Sequence, residues 1–174
     1  TPLPGGIVLA SVPRERRLVE LEFTLPVEHL SAAALADVLK AQGYPSSALA
    51  FGSLEGYLRG FIDLVFEHGG RFHILDWKSN HLGDGYESYH ARRLVTPMQE
   101  ELYSLQYHIY TLALHQYLRR RLPDYRYERH FGGVAYVFLR GVDCRRGPDF
   151  GVFVDTPHPE LVHALGSALI PNYE

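Results

Sequence analysis

The chain has 174 residues, 17 lysines and arginines against 20 aspartates and glutamates, and a formal net charge of −3. This length suits one globular domain, and the single cysteine, Cys144, excludes a disulfide framework, a four-cysteine zinc site or a cysteine-ligated iron–sulfur cluster within the chain. No apolar run approaches the roughly 18 residues of a membrane span. The charge balance does not favour a protein that coats nucleic acid, because such proteins are usually clearly basic.

The first quarter of the chain predicts a strand and a helix. Residues 1–17 are rich in proline and glycine and then basic, which indicates a loose lead-in segment. Alternating apolar residues over Val19–Leu25 predict a half-buried strand that ends at Pro26. Ser31 is the expected cap of a helix that runs to about Ala41. Residues 43–53 have the composition of a loop.

The next stretch predicts a β-hairpin, because the β-prone runs Leu58–Phe66 and Phe72–Lys78 flank Gly69-Gly70. The remaining elements follow in order: a long helix over Pro97–Leu122, a strand over Phe131–Leu139, a short edge strand at Phe153-Val154 and a last helix over Glu160–Ile170. Strands separated by helices, with one antiparallel hairpin, predict an α/β domain with a mixed sheet.

The hairpin turn predicts which residues of its two strands face each other. With a two-residue turn, His68 faces Arg71, and the same register places Asp63 opposite Asp76, with Cβ atoms about 5 Å apart. Lys78 lies on the same face as Asp76, since side chains alternate along a strand. The surrounding residues are almost all apolar and predict strands buried on both faces: Phe61, Ile62, Leu64, Val65, Ile74, Leu75 and Trp77.

Two opposed carboxylates in an apolar sheet repel each other and are costly to desolvate. A shared proton, cationic neighbours or a bound metal can offset that cost. Mg²⁺ favours oxygen ligands of this kind, and Lys78 is placed to activate a water or to stabilise developing negative charge. This combination indicates metal-assisted attack of water on a phosphodiester. The alternative is a hairpin with two ordinary charges and a salt-bridged lysine.

Three motifs in order resemble the PD-(D/E)xK nuclease superfamily, and in particular its RecB-type branch: Gly60-Phe61-Ile62-Asp63, Asp76-Trp77-Lys78-Ser79-Asn80 and Gln106-x-x-x-Tyr110. The resemblance covers about residues 15–170. It implies a restriction-endonuclease-like core, in which a mixed central β-sheet is flanked by helices.

The same resemblance implies the roles of individual residues. Asp63 and Asp76 would ligate Mg²⁺, or Mn²⁺ as a substitute, together with the backbone carbonyl of Trp77. Lys78 would be the catalytic lysine. Gln106 and Tyr110 would lie beside the DNA and the site, and as i, i+4 neighbours they share one helix face.

The family context implies an exodeoxyribonuclease V-type activity, that is, Mg²⁺-dependent hydrolysis of phosphodiester bonds in recombinational DNA repair. The DNA would arrive as single strands from an unwound duplex in the bacterial cytoplasm. The helicase portion of a parent chain and other subunits of a complex would be the partners, with no membrane involved. The chain contains no Walker-type glycine loop, so we expect no ATP site in it.

The beginning of the chain departs from the family pattern. RecB-type nucleases carry a histidine metal ligand on a helix well before the first strand, yet no such helix precedes Val19, and His29 is no match. The chain also opens at Thr1 without a methionine. We therefore expect residues 1–174 to be a single nuclease-like domain, the C-terminal fragment of a larger helicase–nuclease chain, with weak or no activity alone. A non-catalytic DNA- or protein-binding module and a stand-alone exonuclease of the superfamily are the alternatives.

The other candidate residues carry weaker signals. We expect Glu22 to face solvent rather than the site, and Tyr103 and Tyr117 to be packing residues. The apolar stripe of the long helix, predicted to be core, is Leu102, Leu105, Ile109 and Leu112. Arg92-Arg93 is the best phosphate-contact candidate among the basic clusters. The ten histidines lack an H-E-x-x-H arrangement and do not predict a zinc site, although His81 follows the Asp76–Lys78 strand and is weakly indicated near DNA.

Overall fold

The computed structural model describes residues 2–44 and 51–173, apart from the side chain of His29. Five strands form one sheet in chain order: β1 (Arg17–Leu30), β2 (Leu54–His68), β3 (Arg71–Lys78), β4 (Phe131–Phe138) and β5 (Val152–Asp155). Strands β3 and β4 are parallel, and the other neighbouring pairs are antiparallel. The prediction of an α/β domain with a mixed sheet and flanking helices is confirmed.

The helices are α1 (Ala32–Ala41), α2 (Ala91–Glu100), α3 (Tyr103–Arg119), α4 (Tyr127–His130) and α5 (Pro159–Leu169). Within residues 2–44 and 51–173, no helix is long and apolar enough to cross a membrane. Ser31 caps α1 as predicted, since its hydroxyl accepts the backbone N–H of Ala34 at 3.1 Å. Of the loop predicted at 43–53, residues 45–50 lie outside the described residues.

One face of the sheet is covered by the helices. Buried side chains from all five helices form the larger apolar core with the inward residues of β1–β4. Helix α3 lies deepest in this layer, because eight of its residues are buried, including Tyr107, Leu112 and Leu114. The helix layer therefore places α3 directly over the strands that carry the predicted carboxylates.

The opposite face of the sheet is covered by the N-terminal segment, so the prediction of a loose lead-in is wrong. Leu3 and Val12 are buried against Leu64, Phe66 and other apolar residues of the central strands. The Arg17 guanidinium donates to the backbone carbonyls of Leu9 and Val12, which fastens the segment to β1. Proline and glycine shape this segment into short 3₁₀ turns without preventing its apolar residues from packing.

Strand β1 is longer than predicted, since it continues through Pro26 to Leu30. Pro26 pairs with Tyr57 across the antiparallel β1–β2 ladder. Because β1 is the edge of the sheet, a residue without a backbone N–H is tolerated there. Proline therefore does not stop this strand.

The single long helix predicted over Pro97–Leu122 is wrong, because two helices replace it. Pro97 lies inside α2, and Leu102 has a left-handed backbone conformation with φ of 57° between α2 and α3. The break changes which residues are core. Leu112 of the predicted apolar stripe is fully buried, Leu105 and Ile109 are partly buried, and Leu102 is exposed.

The hairpin is confirmed in its turn and its register. Gly69 and Gly70 both have positive φ, of 61° and 78°, as a two-residue hairpin turn of the favoured twist requires. His68 pairs with Arg71, and the ladder continues in the predicted register to Leu64 and Leu75. Burial on both faces is confirmed for five of the seven apolar residues predicted: Ile62, Leu64, Val65, Ile74 and Leu75. It is wrong for Phe61 and Trp77, which are 49% and 41% exposed because the N-terminal segment does not extend over them.

Candidate active site

The backbone pairing of the hairpin stops just before the two predicted carboxylates. The β2–β3 ladder ends at the Leu64–Leu75 pair, whereas β3 continues to pair with β4 as far as Lys78. Beyond the ladder, the backbone N–H of Trp77 donates to Asp63 Oδ2 at 3.0 Å. A side-chain carboxylate thus takes the position of a ladder acceptor, which holds Asp63 against β3 next to Asp76.

Gly60 of the first motif gives an aromatic ring room to approach β2. A Cβ atom at this position would lie 2.7 Å from the Phe23 ring, which is closer than any ordinary contact. The Phe23 ring in turn meets the Tyr110 ring edge-on, with centroids 5.7 Å apart. The glycine therefore sets the packing of β1 and β2 against the helix face that carries Tyr110.

Asp76 is a buried carboxylate, only 3% exposed, on the face of β3 that points to α3. Burial raises the pKa of the Asp76 carboxyl above its usual range; Lys78 opposes this rise, and the neighbouring charge of Asp63 adds to it. Asp76 Oδ1 forms an ion pair with Lys78 Nζ at 2.6 Å, and among the described residues this buried oxygen has no other hydrogen-bond donor. A buried carboxylate with a single cationic partner is costly to keep in a folded protein.

Lys78 is enclosed by partners on several sides. Besides its ion pair with Asp76, its Nζ donates to Gln106 Oε1 at 2.9 Å. The same nitrogen lies 4.0 Å from the centre of the Tyr103 ring and 5.0 Å from that of Tyr136, within the range of cation–π attraction. The ammonium group is therefore held at a defined place beside the carboxylate, as predicted from the alternation of β3.

The Gln106 carboxamide links the lysine to two tyrosines. Its Oε1 accepts from both Lys78 Nζ and the Tyr136 hydroxyl, each at 2.9 Å, and its Nε2 donates to the Tyr110 hydroxyl at 3.0 Å. Burial, with the charges of Asp76 and Asp63, raises the pKa of Tyr110 to about 12. Tyr110 is therefore a neutral hydroxyl at working pH. The structure brings Gln106 and Tyr110 to the predicted carboxylates, as the motif implied.

Two tyrosines of this network are absent from the predicted site. Tyr136 on β4 is not among the residues that the motifs predict. Tyr103 packs against the core as predicted, and in addition its hydroxyl donates to Asn80 Oδ1 at 3.1 Å and its ring faces Lys78. Tyr136 did give one signal in the sequence. It is the only residue with a side-chain hydroxyl within β4, and a buried tyrosine hydroxyl usually requires a hydrogen-bond partner. Tyr117 is a packing residue as predicted.

The donor set at this site fits a hard divalent cation. Asp63 and Asp76 present carboxylate oxygens on neighbouring strands, and among the described residues the buried Asp76 Oδ1 has only the Lys78 ammonium as a polar partner. Among the described residues, no three or more histidine, cysteine, aspartate or glutamate side chains are grouped to hold a metal. Mg²⁺ tolerates such a sparse set, because it is commonly bound by one or two carboxylates, with waters and substrate phosphates completing the shell.

The weaker candidates lie apart from the carboxylates. Glu22 faces solvent as expected and pairs with Arg59 at 2.6 Å. Arg92 and Arg93 are exposed in the first turn of α2, and His81 pairs with Asp84 at 3.3 Å in the segment after β3. Burial lowers the pKa of His108 to about 3, and its ring packs between Tyr44 and Tyr107. These contacts give His108 a role in the core.

The sequence profile of the PD-(D/E)XK nuclease superfamily matches residues 9–167. The chain belongs to this superfamily. Its members generally use divalent metal ions, in agreement with the carboxylates at the open end of the hairpin. The predicted resemblance is thereby confirmed, and the domain is a nuclease domain.

Individual relatives match most of this PD-(D/E)XK chain but only a small part of their own length. It is 45% identical over 161 residues to the RecBCD enzyme subunit RecB of Escherichia coli K12, which covers 90% of this chain and 14% of that protein. The RecB subunit of Haemophilus influenzae is 43% identical over 169 residues, covering 95% and 14%. That of Mycobacterium tuberculosis H37Rv is 35% identical over 195 residues, covering 97% and 18%. The chain therefore spans less than a fifth of each of these relatives.

Proposed function

We propose that this domain hydrolyses phosphodiester bonds in DNA in a reaction that depends on Mg²⁺. One observation carries the proposal: a buried aspartate, ion-paired at 2.6 Å with a single lysine ammonium, lies beside a second carboxylate. An apolar sheet would not keep this arrangement for stability alone, since each buried charge carries a desolvation cost.

Asp63, Asp76 and the carbonyl of Trp77 are the proposed ligands of Mg²⁺, with Mn²⁺ as a substitute. A divalent cation at this place would supply charge neutralisation for the phosphate and lower the pKa of a coordinated water. Asp63 is already fixed by the Trp77 N–H, so one of its oxygens is committed and the other is free to ligate. The two aspartates thus differ in their local contacts, although both belong to the proposed set of metal ligands.

Lys78 is the proposed catalytic residue that meets the reacting phosphate. Its ammonium can donate to the attacking water or to a non-bridging phosphate oxygen, where it would stabilise the charge that develops in the transition state. Gln106 and the rings of Tyr103 and Tyr136 fix the position of this ammonium. Positioning of this kind lowers the barrier because little reorganisation remains to be done when the substrate arrives.

The biological setting is also part of the proposal. The relatives named RecB are subunits of the RecBCD enzyme, so we infer that residues 1–174 form the nuclease domain of a longer bacterial helicase–nuclease. Single DNA strands from an unwound duplex would be its substrate, in recombinational repair in the cytoplasm. Its activity would be of the exodeoxyribonuclease V type, and the helicase portion and other subunits would be its partners.

The test is Asp76→Asn, which preserves the side-chain shape and removes the charge. We expect Mg²⁺-dependent cleavage of a labelled single-stranded oligonucleotide to fall by a factor of about 1,000 or more. The melting temperature should fall because Lys78 loses its ion-pair partner, and circular dichroism should show that the variant still folds. The assay uses this chain and a longer chain that includes the upstream part of its parent, since we expect the shorter one to cleave weakly.

A non-catalytic module makes the opposite prediction. In that case the wild-type chain and its longer parent bind DNA without cutting it in Mg²⁺ or Mn²⁺, and Asp76→Asn changes nothing. Cleavage retained by Asp76→Asn in a cutting enzyme would refute the assignment of the site. A parent gene without helicase motifs would favour a stand-alone exonuclease.

A further inference from the structure

A polar cleft lies next to the carboxylate–lysine network but shares none of its residues. It has a volume of about 320 Å³, and its walls include His81, Asp84, Tyr86, Tyr89 and Arg140. These residues follow the carboxyl ends of the parallel strands β3 and β4, where Lys78 pairs with Phe138. The cleft therefore opens at the same edge of the sheet as Lys78.

Arg140 is the cation of this cleft, and its position is tied to the catalytic strand. Its Nε donates to the carbonyl of Ser79 at 2.9 Å, and Ser79 directly follows Lys78. Within residues 2–44 and 51–173, Arg140 has no ion pair with a carboxylate and no second side-chain hydrogen bond. The terminal nitrogens of the guanidinium are thus a fixed set of donors, which suits a phosphate group.

The wall beneath Arg140 is held in place by hydrogen bonds and close packing. Tyr89 is 3% exposed, accepts the backbone N–H of Leu82 at 3.1 Å and donates to the carbonyl of Asn80 at 3.3 Å. A Cβ atom at Gly141 would lie 2.3 Å from Tyr89 Cβ, so the residue after Arg140 packs directly on this tyrosine. Tyr89 therefore holds together the two segments that form the cleft.

Among the described residues, the other charged side chains around the cleft have partners of opposite charge or aromatic partners, whereas Arg140 has no charged partner. Asp84 pairs with His81 at 3.3 Å, so the carboxylate in the wall already has a cationic partner when His81 is protonated. Arg146 lies over the Tyr86 ring at 4.0 Å, and it is also 4.0 Å from Asp143. An anion that enters the cleft would meet the Arg140 guanidinium without displacing a carboxylate from it.

We propose that Arg140 binds a backbone phosphate of the DNA strand next to the phosphate that is cut, and that the cleft receives the neighbouring nucleotide. The inference rests on the proposed nuclease function and names a substrate-binding residue for it. It also differs from the sequence-based choice of Arg92-Arg93, which lie outside the walls of the cleft. The Ser79 contact keeps this phosphate site at a fixed distance from Lys78, so that a strand bound there is aligned with the carboxylates.

The experiment measures binding of a fluorescent single-stranded oligonucleotide by anisotropy, without divalent metal, over a range of salt concentrations. Arg140→Gln removes the charge but keeps an amide that can donate to Ser79. We expect it to weaken binding about fivefold to tenfold and to lower the salt slope by about 0.7, as the loss of one phosphate contact to a single strand predicts. Arg140→Lys, which keeps the charge, should retain most of the slope.

Arg145→Gln is the matched control, because this exposed arginine lies nearby and its guanidinium already makes two hydrogen bonds to Asp143. We expect it to change the affinity less than twofold. Equal effects of Arg140→Gln and Arg145→Gln would overturn the proposal. Equal loss of slope in Arg140→Gln and Arg140→Lys, with both variants folded by thermal melting, would also overturn it, since the charge at position 140 would then not account for the loss.

The outcomes separate this proposal from the function on which it rests. If the wild-type chain cuts DNA but Arg140→Gln binds like wild type, only the phosphate site is wrong. If the wild-type chain and its longer parent neither bind nor cut a single strand, the proposed function fails together with the phosphate site.

Discussion

The same two strands form both ends of the β2–β3 hairpin, but the ends differ in backbone pairing and in buried charge. At the turn end, the ladder is complete from Leu64–Leu75 to His68–Arg71, and its part nearest the open end is apolar and buried. At the open end, the ladder stops, Asp63 accepts the Trp77 N–H, and the buried Asp76 forms an ion pair with Lys78. The apolar part of the ladder provides stability, whereas the open end holds the buried charges.

This contrast shows how a rigid sheet can carry a costly site. The buried aspartate is destabilising where it lies, and the closed, apolar half of the same strands offsets that cost. Substitutions at the two ends should therefore have separable effects. Changes at the open end should alter chemistry and stability together, because the remaining partner of the Asp76–Lys78 ion pair is left unpaired, and changes at the turn end should alter stability alone.

The largest effect is expected for Lys78→Met at the open end. Removal of the ammonium should slow single-turnover cleavage by a factor of about 100 to 1,000, while Mn²⁺ affinity, measured by titration calorimetry, changes much less. Arg71→Met removes the cation at the other end of the same strand and serves as the control, with cleavage close to wild type. Full rescue of Lys78→Met by excess metal would refute the catalytic role.

A stability effect of about 3 kcal/mol is expected for Ile74→Ala, because this fully buried residue leaves a cavity at the centre of the core. Trp77→Ala, three positions farther along β3, removes a larger side chain that is 41% exposed, and it should cost only about 1 kcal/mol. Urea unfolding compares the two variants. A larger loss of stability for Trp77→Ala would contradict the greater contribution of the buried part of β3 to stability.

The smallest effect is a pH dependence at the turn end. Burial, followed by the charges of His68 and Arg71, lowers the pKa of His73 to about 4, whereas the unfolded chain takes up this proton near pH 6.5. The unfolded state therefore binds more protons between these values, and stability falls as the pH falls.

His73→Phe tests this linkage, since a phenyl ring can keep the stack on Phe66. After allowance for partial exposure, we expect the stability loss from pH 7 to pH 5 to be about 1 kcal/mol smaller in His73→Phe than in wild type. Unfolding curves at the two pH values give this difference, and His108 and His115 contribute equally to both proteins. Identical losses would show that His73 is not held neutral by the fold.

Much of the candidate site followed from local sequence rules. The Gly69-Gly70 turn and strand alternation placed Asp63, Asp76 and Lys78 together, because hairpin register depends only on turn length and on a side-chain period of two. The spacing of Gln106 and Tyr110 placed them on one helix face. The resemblance in motifs added the chemistry.

Other features depended on packing between distant segments and were missed. The N-terminal segment covers part of a sheet face because it meets Phe66 and Leu75, which no local pattern reveals. The local pattern predicts a strand end at Pro26, because the position of this residue at the sheet edge does not show in the neighbouring sequence. Leu102 breaks the helix even though the apolar spacing continues through it.

The sequence by itself thus determined the hairpin, its register as far as the Leu64–Leu75 pair and the superfamily, since these depend on short-range geometry and ordered motifs. Only the tertiary structure placed Tyr136 against Gln106, the ring of Tyr103 over Lys78, and Arg140 on the carbonyl of Ser79. Each of these contacts joins residues at least 25 positions apart in the chain. Such contacts form when the sheet and helix layers pack together, so they are decided by the fold as a whole.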